Sequence, residues 1–338
     1  MGPRVAVVGA TGAVGTTFLE LFAEREFPLE SLHLVASRRS AGRTVPALGA
    51  DRVVAALDDF DFGQVDVAFF SAGTDVSRQW APKAAAAGAL VIDNTNAFRM
   101  DPDSPLVVPQ VNGDLLDARP VSGIIGNPNC STIPMVRLLR PVHQRWGIDS
   151  VVVSTYQAAS GRGHSGVAEL LDGTAALVHD PDGDAPDERF PMGLPFNVIP
   201  HIDQPLDDGF SLEEQKMLQE SRKILGLPAL DLTATCVRVP VVNSHSEAVY
   251  VRCASEVDRA ELAALLAAQP EVRVHAAGDH PTPRTVAAEP DLVHVGRVRV
   301  VGHDRRGLWL WLVADNLRIG AALNAVQIAE QLLERGVL

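Results

Sequence analysis

Arg4-Val5-Ala6-Val7-Val8-Gly9-Ala10-Thr11-Gly12-Ala13-Val14-Gly15 decides the architecture of this 338-residue chain. Val5 to Val8 form an apolar run rich in β-branched residues, the pattern of a strand buried on both faces of a parallel sheet. Gly9, Gly12 and Gly15 follow at the spacing of a dinucleotide-binding turn. The first allows a tight turn, the second lets the backbone approach a pyrophosphate, and the third lets a helix pack close to the strand. The helix then offers free N–H groups and its positive dipole end to phosphate. A glycine pattern alone is weak, but here a strand precedes it, a helix runs on to about Arg25, and a second strand follows at Leu32–Ala36. The competing reading is an ordinary strand–turn–helix whose glycines only pack.

Further along, Val65–Phe70 and Leu90–Ile92 read as strands and Val76–Ala87 as a helix. That alternation predicts an α/β fold with a Rossmann-like, doubly wound parallel sheet. Past Cys130 the pattern changes. Helices are expected at 131–146, 167–178 and 212–225, and strands at 150–156, 233–240, 248–254, 293–301 and 308–314. Several of these strands follow one another with little helix between, which predicts an α+β domain built on a mixed sheet. Asp180–Asp187 reads as a loop, and an amphipathic helix at 319–334 closes the chain. The expected domains are residues 1–132, completed by 316–338, and residues 133–315.

The second strand ends Ala36-Ser37-Arg38-Arg39-Ser40, with no acid to take the ribose hydroxyls of NAD. Two arginines and two serines suit a 2′-phosphate through charge-assisted hydrogen bonds, so the expected cofactor is NADP(H). A solvated basic loop is the alternative. The formal net charge is -13, which argues against a nucleic-acid partner. No run reaches the roughly 18 apolar residues of a membrane span. The three cysteines, an odd and low number, suggest a reducing compartment and hence the cytoplasm, and no spacing resembles a metal site.

Cys236 and Cys253 lie in apolar strand patterns and read as structural. Cys130 is different. Asn127-Pro128-Asn129-Cys130 places it among polar turn residues just before a helix, where the dipole favours a thiolate. The border of the two expected domains, where Cys130 falls, is a common place for a ligand site.

The chain resembles the aspartate-semialdehyde dehydrogenase family, in a form that looks bacterial. The resemblance spans nearly the whole length. It rests on the glycine turn, Ser71-Ala72-Gly73, Asp93-Asn94 with Ala97-Phe98-Arg99, and Asn127-Pro128-Asn129-Cys130. It continues through Tyr156-Gln157-Ala158 with Ser160-Gly161, Cys236-Val237-Arg238-Val239-Pro240, His245-Ser246 and Asp315-Asn316-Leu317-Arg318. It implies NADPH-dependent reduction of L-aspartyl 4-phosphate to L-aspartate 4-semialdehyde and phosphate. That reaction serves lysine, threonine, methionine and diaminopimelate biosynthesis. By resemblance, Cys130 is the nucleophile that carries the acyl-thioester, His245 its acid–base partner, and Gln157 orients the acyl group. Arg238 binds the α-carboxylate, Glu213 faces the amino group, and Arg99 and Lys216 hold phosphate. Gly9, Thr11, Gly12, Ala13, Val14, Arg39, Ser40, Ser160, Gly161 and Asn316 touch the cofactor. The family also implies a homodimer formed through the middle domain.

The chain departs from the family at Arg162 and His164, which stand where small residues are usual, and no role is assigned to 173–191. A thiolate that displaces phosphate splits one hard step into two easier ones, and an imidazole nearby can take and return a proton. His164, His179, His201, His280 and His303 carry no such expectation. Three other readings remain. One is a relative acting on N-acetyl-glutamyl phosphate by the same chemistry. The second is a dinucleotide-binding protein without catalysis, and the third a purely structural module.

Overall fold

The opening strand forms and lies inside a six-stranded parallel sheet. The computed structural model describes residues 2–338. In chain order the first elements are β1 (Arg4–Val8), α1 (Ala13–Glu24), β2 (Ser31–Ala36), β3 (Thr44–Ala47), β4 (Ala50–Val53), β5 (Ala55–Ala56), β6 (Val67–Phe70), α2 (Thr74–Ala86), β7 (Leu90–Asp93), α3 (Pro109–Asn112) and β8 (Ile124–Gly126). The sheet order is β5-β2-β1-β6-β7-β8, every pair parallel. Adjacent residues of β6 face opposite layers. Phe69 packs on Phe18 of α1 at 4.8 Å between ring centroids, and Phe70 stacks with Phe62 at 5.8 Å. Strands covered on both faces explain the unbroken apolar runs.

The chain divides into two compact units. One comprises the residues up to Asn129 together with Ala321–Leu338, the other Cys130–Gly320. The C-terminal helix, Leu323–Glu334, belongs to the first. Asn324 Nδ2 donates to Asn127 Oδ1 at 2.7 Å and to the Val107 carbonyl at 2.9 Å, and Arg25 pairs with Glu330 at 2.7 Å. This helix was expected from Ile319. Instead Arg318–Ala322 form a wider π-type turn, and regular helix starts at Leu323.

The second unit contains α4 (Thr132–Trp146), β9 (Ile148–Gln157), α5 (Gly163–His179), α6 (Leu212–Leu225), β10 (Asp231–Arg238), β11 (His245–Cys253), α7 (Arg259–Ala267), β12 (Val272–Val274), β13 (Val293–Val301) and β14 (Gly307–Ala314). Its mixed sheet runs β10-β9-β11-β14-β13-β12. β9 and β10 are parallel with Gln157 opposite Arg238, while β11 is antiparallel to β9. The last residues of β9 and β10 and the first of β11 therefore meet at one end of the sheet.

Several elements were absent from the sequence reading, among them the β3–β4 hairpin, α7 and β12. The β3–β4 hairpin turns through Leu48 and Gly49, at φ 53° and 73°. Both are left-handed, as a type I′ turn needs, yet Leu-Gly lacks the usual Asn or Asp signal. α7 is short and alanine-rich, started by Asp258, whose side chain accepts from the N–H groups of Ala260 and Glu261. The three-residue β12 is too short to show a period.

Candidate active site

In the first unit, Gly9 has φ 92°, and a side chain there would meet the Ser71 carbonyl at 2.9 Å. A Cβ on Gly15 would lie 2.2 Å from the Gly9 carbonyl oxygen, so α1 can approach β1 this closely only without one. Gly12 precedes α1 and supplies no capping side chain, which leaves the first helical N–H groups, those of Ala13 and Val14 among them, facing outward for an anion. Thr11 Oγ1 lies 3.5 Å from Ser40 Oγ, tying this turn to the loop after β2. Of the two arginines in that loop, Arg38 is engaged by Asp58 and Asp59, each at 2.9 Å. Arg39 is exposed and its side chain has no ion pair among the described residues. One guanidinium, not two, is therefore free for a 2′-phosphate. Arg99, also in this unit, is buried and donates from Nε to the Asn127 carbonyl and from Nη2 to the Asn94 carbonyl, both at 2.9 Å.

The second unit gathers the remaining candidates at the end of its sheet. Cys130 Sγ stands 3.3 Å from His245 Nε2, although 115 residues separate them. The other ring nitrogen, Nδ1, accepts the N–H of Ala158 at 3.1 Å. Burial, and then the nearby Arg238 guanidinium, push the imidazole well below its ordinary value, so the ring is neutral. His245 follows Ser244, whose φ is 72° and whose N–H donates to Asn316 Oδ1 at 3.0 Å. Ser160 Oγ also reaches Asn316 Oδ1 and Asn243 Oδ1, each at 2.9 Å, and Asn243 Nδ2 donates to Asp315 at 2.6 Å. This network fixes the residue before the histidine in a conformation rare for anything but glycine.

Gln157 is buried and donates to Glu213 Oε1 at 3.2 Å. Glu213 sits at the start of α6, which Ser211 and Glu214 begin with reciprocal hydrogen bonds. Glu214 also accepts the Cys236 N–H at 2.9 Å, anchoring the helix to β10. Lys216, expected on phosphate, is held by Asp203 at 2.5 Å and Glu213 at 3.2 Å. Two carboxylates leave that ammonium little positive charge to offer. Arg238 is 5% exposed, donates from Nη1 to the Ala158 carbonyl at 2.7 Å, and lies 5.7 Å from the Phe190 ring centroid. Burial lowers its guanidinium from the ordinary value, while Glu213 and Cys130 oppose that shift and Arg162 adds to it. Arg162 thus lies near enough to Arg238 to repel it. A Cβ on Gly161 would meet Arg238 Nη1 at 2.8 Å, so this glycine makes room for the guanidinium.

Cys236 and Cys253 are buried free thiols. Burial raises both, Cys253 to about 11, so neither is a nucleophile near neutral pH. The sequence reading missed three features. The Ala158 N–H is a backbone group, invisible in a list of side chains. Gly320 lies against Cys130, where a Cβ would come 2.8 Å from Cys130 Cβ. Glu247, on β11 two residues past His245, is fully buried with no hydrogen-bond partner for either carboxyl oxygen; burial raises it well above the usual carboxylate range. Its place beside His245-Ser246 in the motif was the one available signal. Among the described residues no group of His, Cys, Asp and Glu could hold a metal ion.

Two family models match the chain: "Semialdehyde dehydrogenase, NAD binding domain" over residues 4–119 and "Semialdehyde dehydrogenase, dimerisation domain" over residues 139–319. The aspartate-semialdehyde dehydrogenase of Aquifex aeolicus is 46% identical over 344 residues, covering 100% of both chains. Aspartate semialdehyde dehydrogenase II from Vibrio cholerae, solved complexed with ASA, superposes with a TM-score of 0.96 at 45% identity over 99% of each chain. The Candida albicans aspartate semialdehyde dehydrogenase, solved with NADP, gives 0.79 at 26% identity over 100% of each chain.

Proposed function

The chain belongs to the aspartate-semialdehyde dehydrogenase family, and from that premise we propose that it reduces L-aspartyl 4-phosphate to L-aspartate 4-semialdehyde and phosphate through a thioester on Cys130, using NADPH. The observation that carries this reading is the 3.3 Å approach of Cys130 to His245 beside the buried Arg238. A cysteine next to an imidazole and a guanidinium is a ready nucleophile, and the guanidinium is shaped to grip a carboxylate with two hydrogen bonds. The neighbouring Gln157–Glu213 pair suits an acyl oxygen and an ammonium, which a free amino acid offers and an N-acetylated one does not. That favours aspartyl phosphate over N-acetyl-glutamyl phosphate.

The residues of the first unit fit NADP. The turn at 9–15 bares helix N–H groups for a pyrophosphate, β2 ends without an acid, and Arg39 and Ser40 remain for a 2′-phosphate. When bound, NADPH would supply the hydride that reduces the acyl group. Gly9, Thr11, Gly12, Ala13 and Val14 would then face the pyrophosphate, and Ser160, Gly161 and Asn316 the rest of the cofactor. Arg99 is assigned to phosphate. Lys216, with its charge already offset, acts chiefly by holding Glu213. Steady-state assays test the substrate: faster turnover of N-acetyl-glutamyl phosphate than of aspartyl phosphate would displace this reading. Cys130→Ala should abolish turnover yet still bind NADP, and retained turnover would remove the thioester.

The same reading includes a homodimer. The outward face of the mixed sheet carries Val152, 46% exposed, and the ring pairs Tyr156–Trp311 and Tyr250–Trp309, 5.5 and 5.2 Å apart. Such a face suits a second copy of the sheet. Three free cysteines suit the cytoplasm, and no helix is long and apolar enough to cross a membrane among the described residues. Supply of aspartate semialdehyde for lysine, threonine and methionine synthesis completes the proposal.

A further inference from the structure

We propose that the edge of the mixed sheet beside α7 carries a second ligand site, walled by arginine and floored with alanine, that takes a nucleoside di- or triphosphate. A cavity of about 1070 Å³ opens there, within the second unit. β12 pairs with β13 only from Val293 to Val295, and the His275 N–H makes the last bond of that ladder, to the Val295 carbonyl at 2.8 Å. The chain then leaves through 276–280, so the edge of β13 beyond Val295 has no strand beside it. None of the lining residues is among those assigned above to substrate or cofactor.

The sequence of α7 makes the space. Leu262 and Leu266 are fully buried, while Ala260, Ala263, Ala264 and Ala267 share another face and line the cavity. Their methyl groups leave volume that longer side chains would fill, and they form a flat apolar surface on which a nucleobase can lie. The opposite wall is set by a bulge in β13. Gly296 pairs with Trp311 and Arg299 with Trp309, so Arg297 and Val298 together oppose Leu310. Arg297 has φ 51°, a left-handed conformation rare for a residue with a Cβ. It and Arg299 flank the buried Val298, and both line the cavity.

Arg259, at the start of α7, is the third guanidinium. Its Nε donates to the Val298 carbonyl at 2.9 Å, and Arg299 Nε donates to the Arg297 carbonyl at 3.1 Å. The planar Nη groups of both remain for a ligand. Among the described residues none of the three arginines has a carboxylate partner. The nearby acids are taken: Asp258 accepts from the N–H groups of Ala260 and Glu261 and pairs with Arg305 at 3.3 Å, and Asp279 pairs with His275 at 2.8 Å. Arg297 and burial both disfavour the charge on Arg299, burial the more strongly, and a bound anion relieves that repulsion. The chain has a net charge of -13, so acids are plentiful, and three arginines left without one around a single cavity point to an anion from outside. The volume exceeds what inorganic phosphate or a free amino acid fills and is of the size that holds a mononucleotide. Its phosphates would meet Arg259, Arg297 and Arg299, and its base the alanines of α7.

Calorimetry with ADP tests this on the full-length enzyme, saturated with NADP so that the cofactor site is closed to other nucleotides. ADP should bind at one site per chain with a Kd of about 0.1 mM, the strength of a few charge-assisted contacts, and should raise the melting temperature. No binding up to about 5 mM ADP, a concentration well above that Kd, overturns the proposal. Arg297→Gly removes one guanidinium and suits the left-handed backbone. That variant should fold, melt no lower than the parent, keep its turnover and bind ADP about tenfold more weakly. Unchanged ADP affinity in it places the ligand elsewhere and overturns the site. Ala264→Leu fills the floor and should weaken ADP binding while sparing inorganic pyrophosphate. Pyrophosphate that binds the parent as tightly as ADP does would show that no base is held, and would refute the nucleotide class.

Discussion

Gly320→Ala is the substitution whose effect the structure specifies most closely. The new Cβ would lie 2.8 Å from Cys130 Cβ, 2.9 Å from its carbonyl oxygen and 3.0 Å from its Cα, where ordinary contact begins at 3.4 Å. These are backbone and Cβ atoms, so no flexible side chain can swing aside. Cys130 must retreat by about 0.6 Å, or the 318–322 turn must move by as much. Sγ then leaves its 3.3 Å approach to His245 Nε2, and misplacement on the order of 1 Å costs about a hundredfold in rate. The expected result is a kcat 30- to 100-fold down, on that roughly 1 Å scale, with a stability loss of about 1–3 kcal/mol from overpacking. Steady-state turnover, a denaturant melt and NADP titration measure the three quantities separately. NADP binding should be unchanged, because the nearest atoms an added Cβ meets all belong to Cys130, which is not assigned to the cofactor. Wild-type kcat in a folded Gly320→Ala enzyme would refute the claim that this contact seats the nucleophile.

Three further outcomes are expected. Arg39→Ala should weaken NADP binding about tenfold and leave NAD binding unchanged, as loss of one charge-assisted contact predicts; equal effects on both cofactors in a calorimeter would show that Arg39 does not read the 2′-phosphate. Glu247 is uncharged when folded but ionises in the unfolded chain above its ordinary value of 4.5, so the native state binds more protons and stability falls as pH rises above that value. Glu247→Gln should remove this dependence, gaining on the parent in thermal melts from pH 5 to 8; a constant gap would exclude the titration. Val152→Arg places a charge on the outward face of the mixed sheet and should give monomers by sedimentation, whereas an undisturbed dimer would move the interface to another surface.

The legible part of the fold was the part with a period. The runs at Val5–Val8, Val67–Phe70 and Leu90–Ile92 lie in strands buried on both faces, and burial on both faces is what makes a run continuous and apolar. α6 was readable to the residue because Ser211, Glu214 and Gly226 mark both its ends. The β3–β4 hairpin turns through an unhelpful Leu-Gly pair, and α7 is only nine residues long, four of them alanine, with Asp258 marking its start and nothing marking its end.

By itself the sequence determined the two kinds of sheet, the cofactor turn, and which cysteine differs from the other two, because these follow from local pattern and from groups a few residues apart. Tertiary structure alone decided that Arg38 is neutralised by Asp58 and Asp59 while Arg39 is not, that Lys216 is taken up by Asp203 and Glu213, and that a backbone amide faces Nδ1 of His245. Apart from Lys216–Glu213, three residues apart on α6, each of these depends on distances between residues well separated in the chain. Hydrogen bonds and charge pairing act over a few ångströms, and folding alone sets which groups come that close.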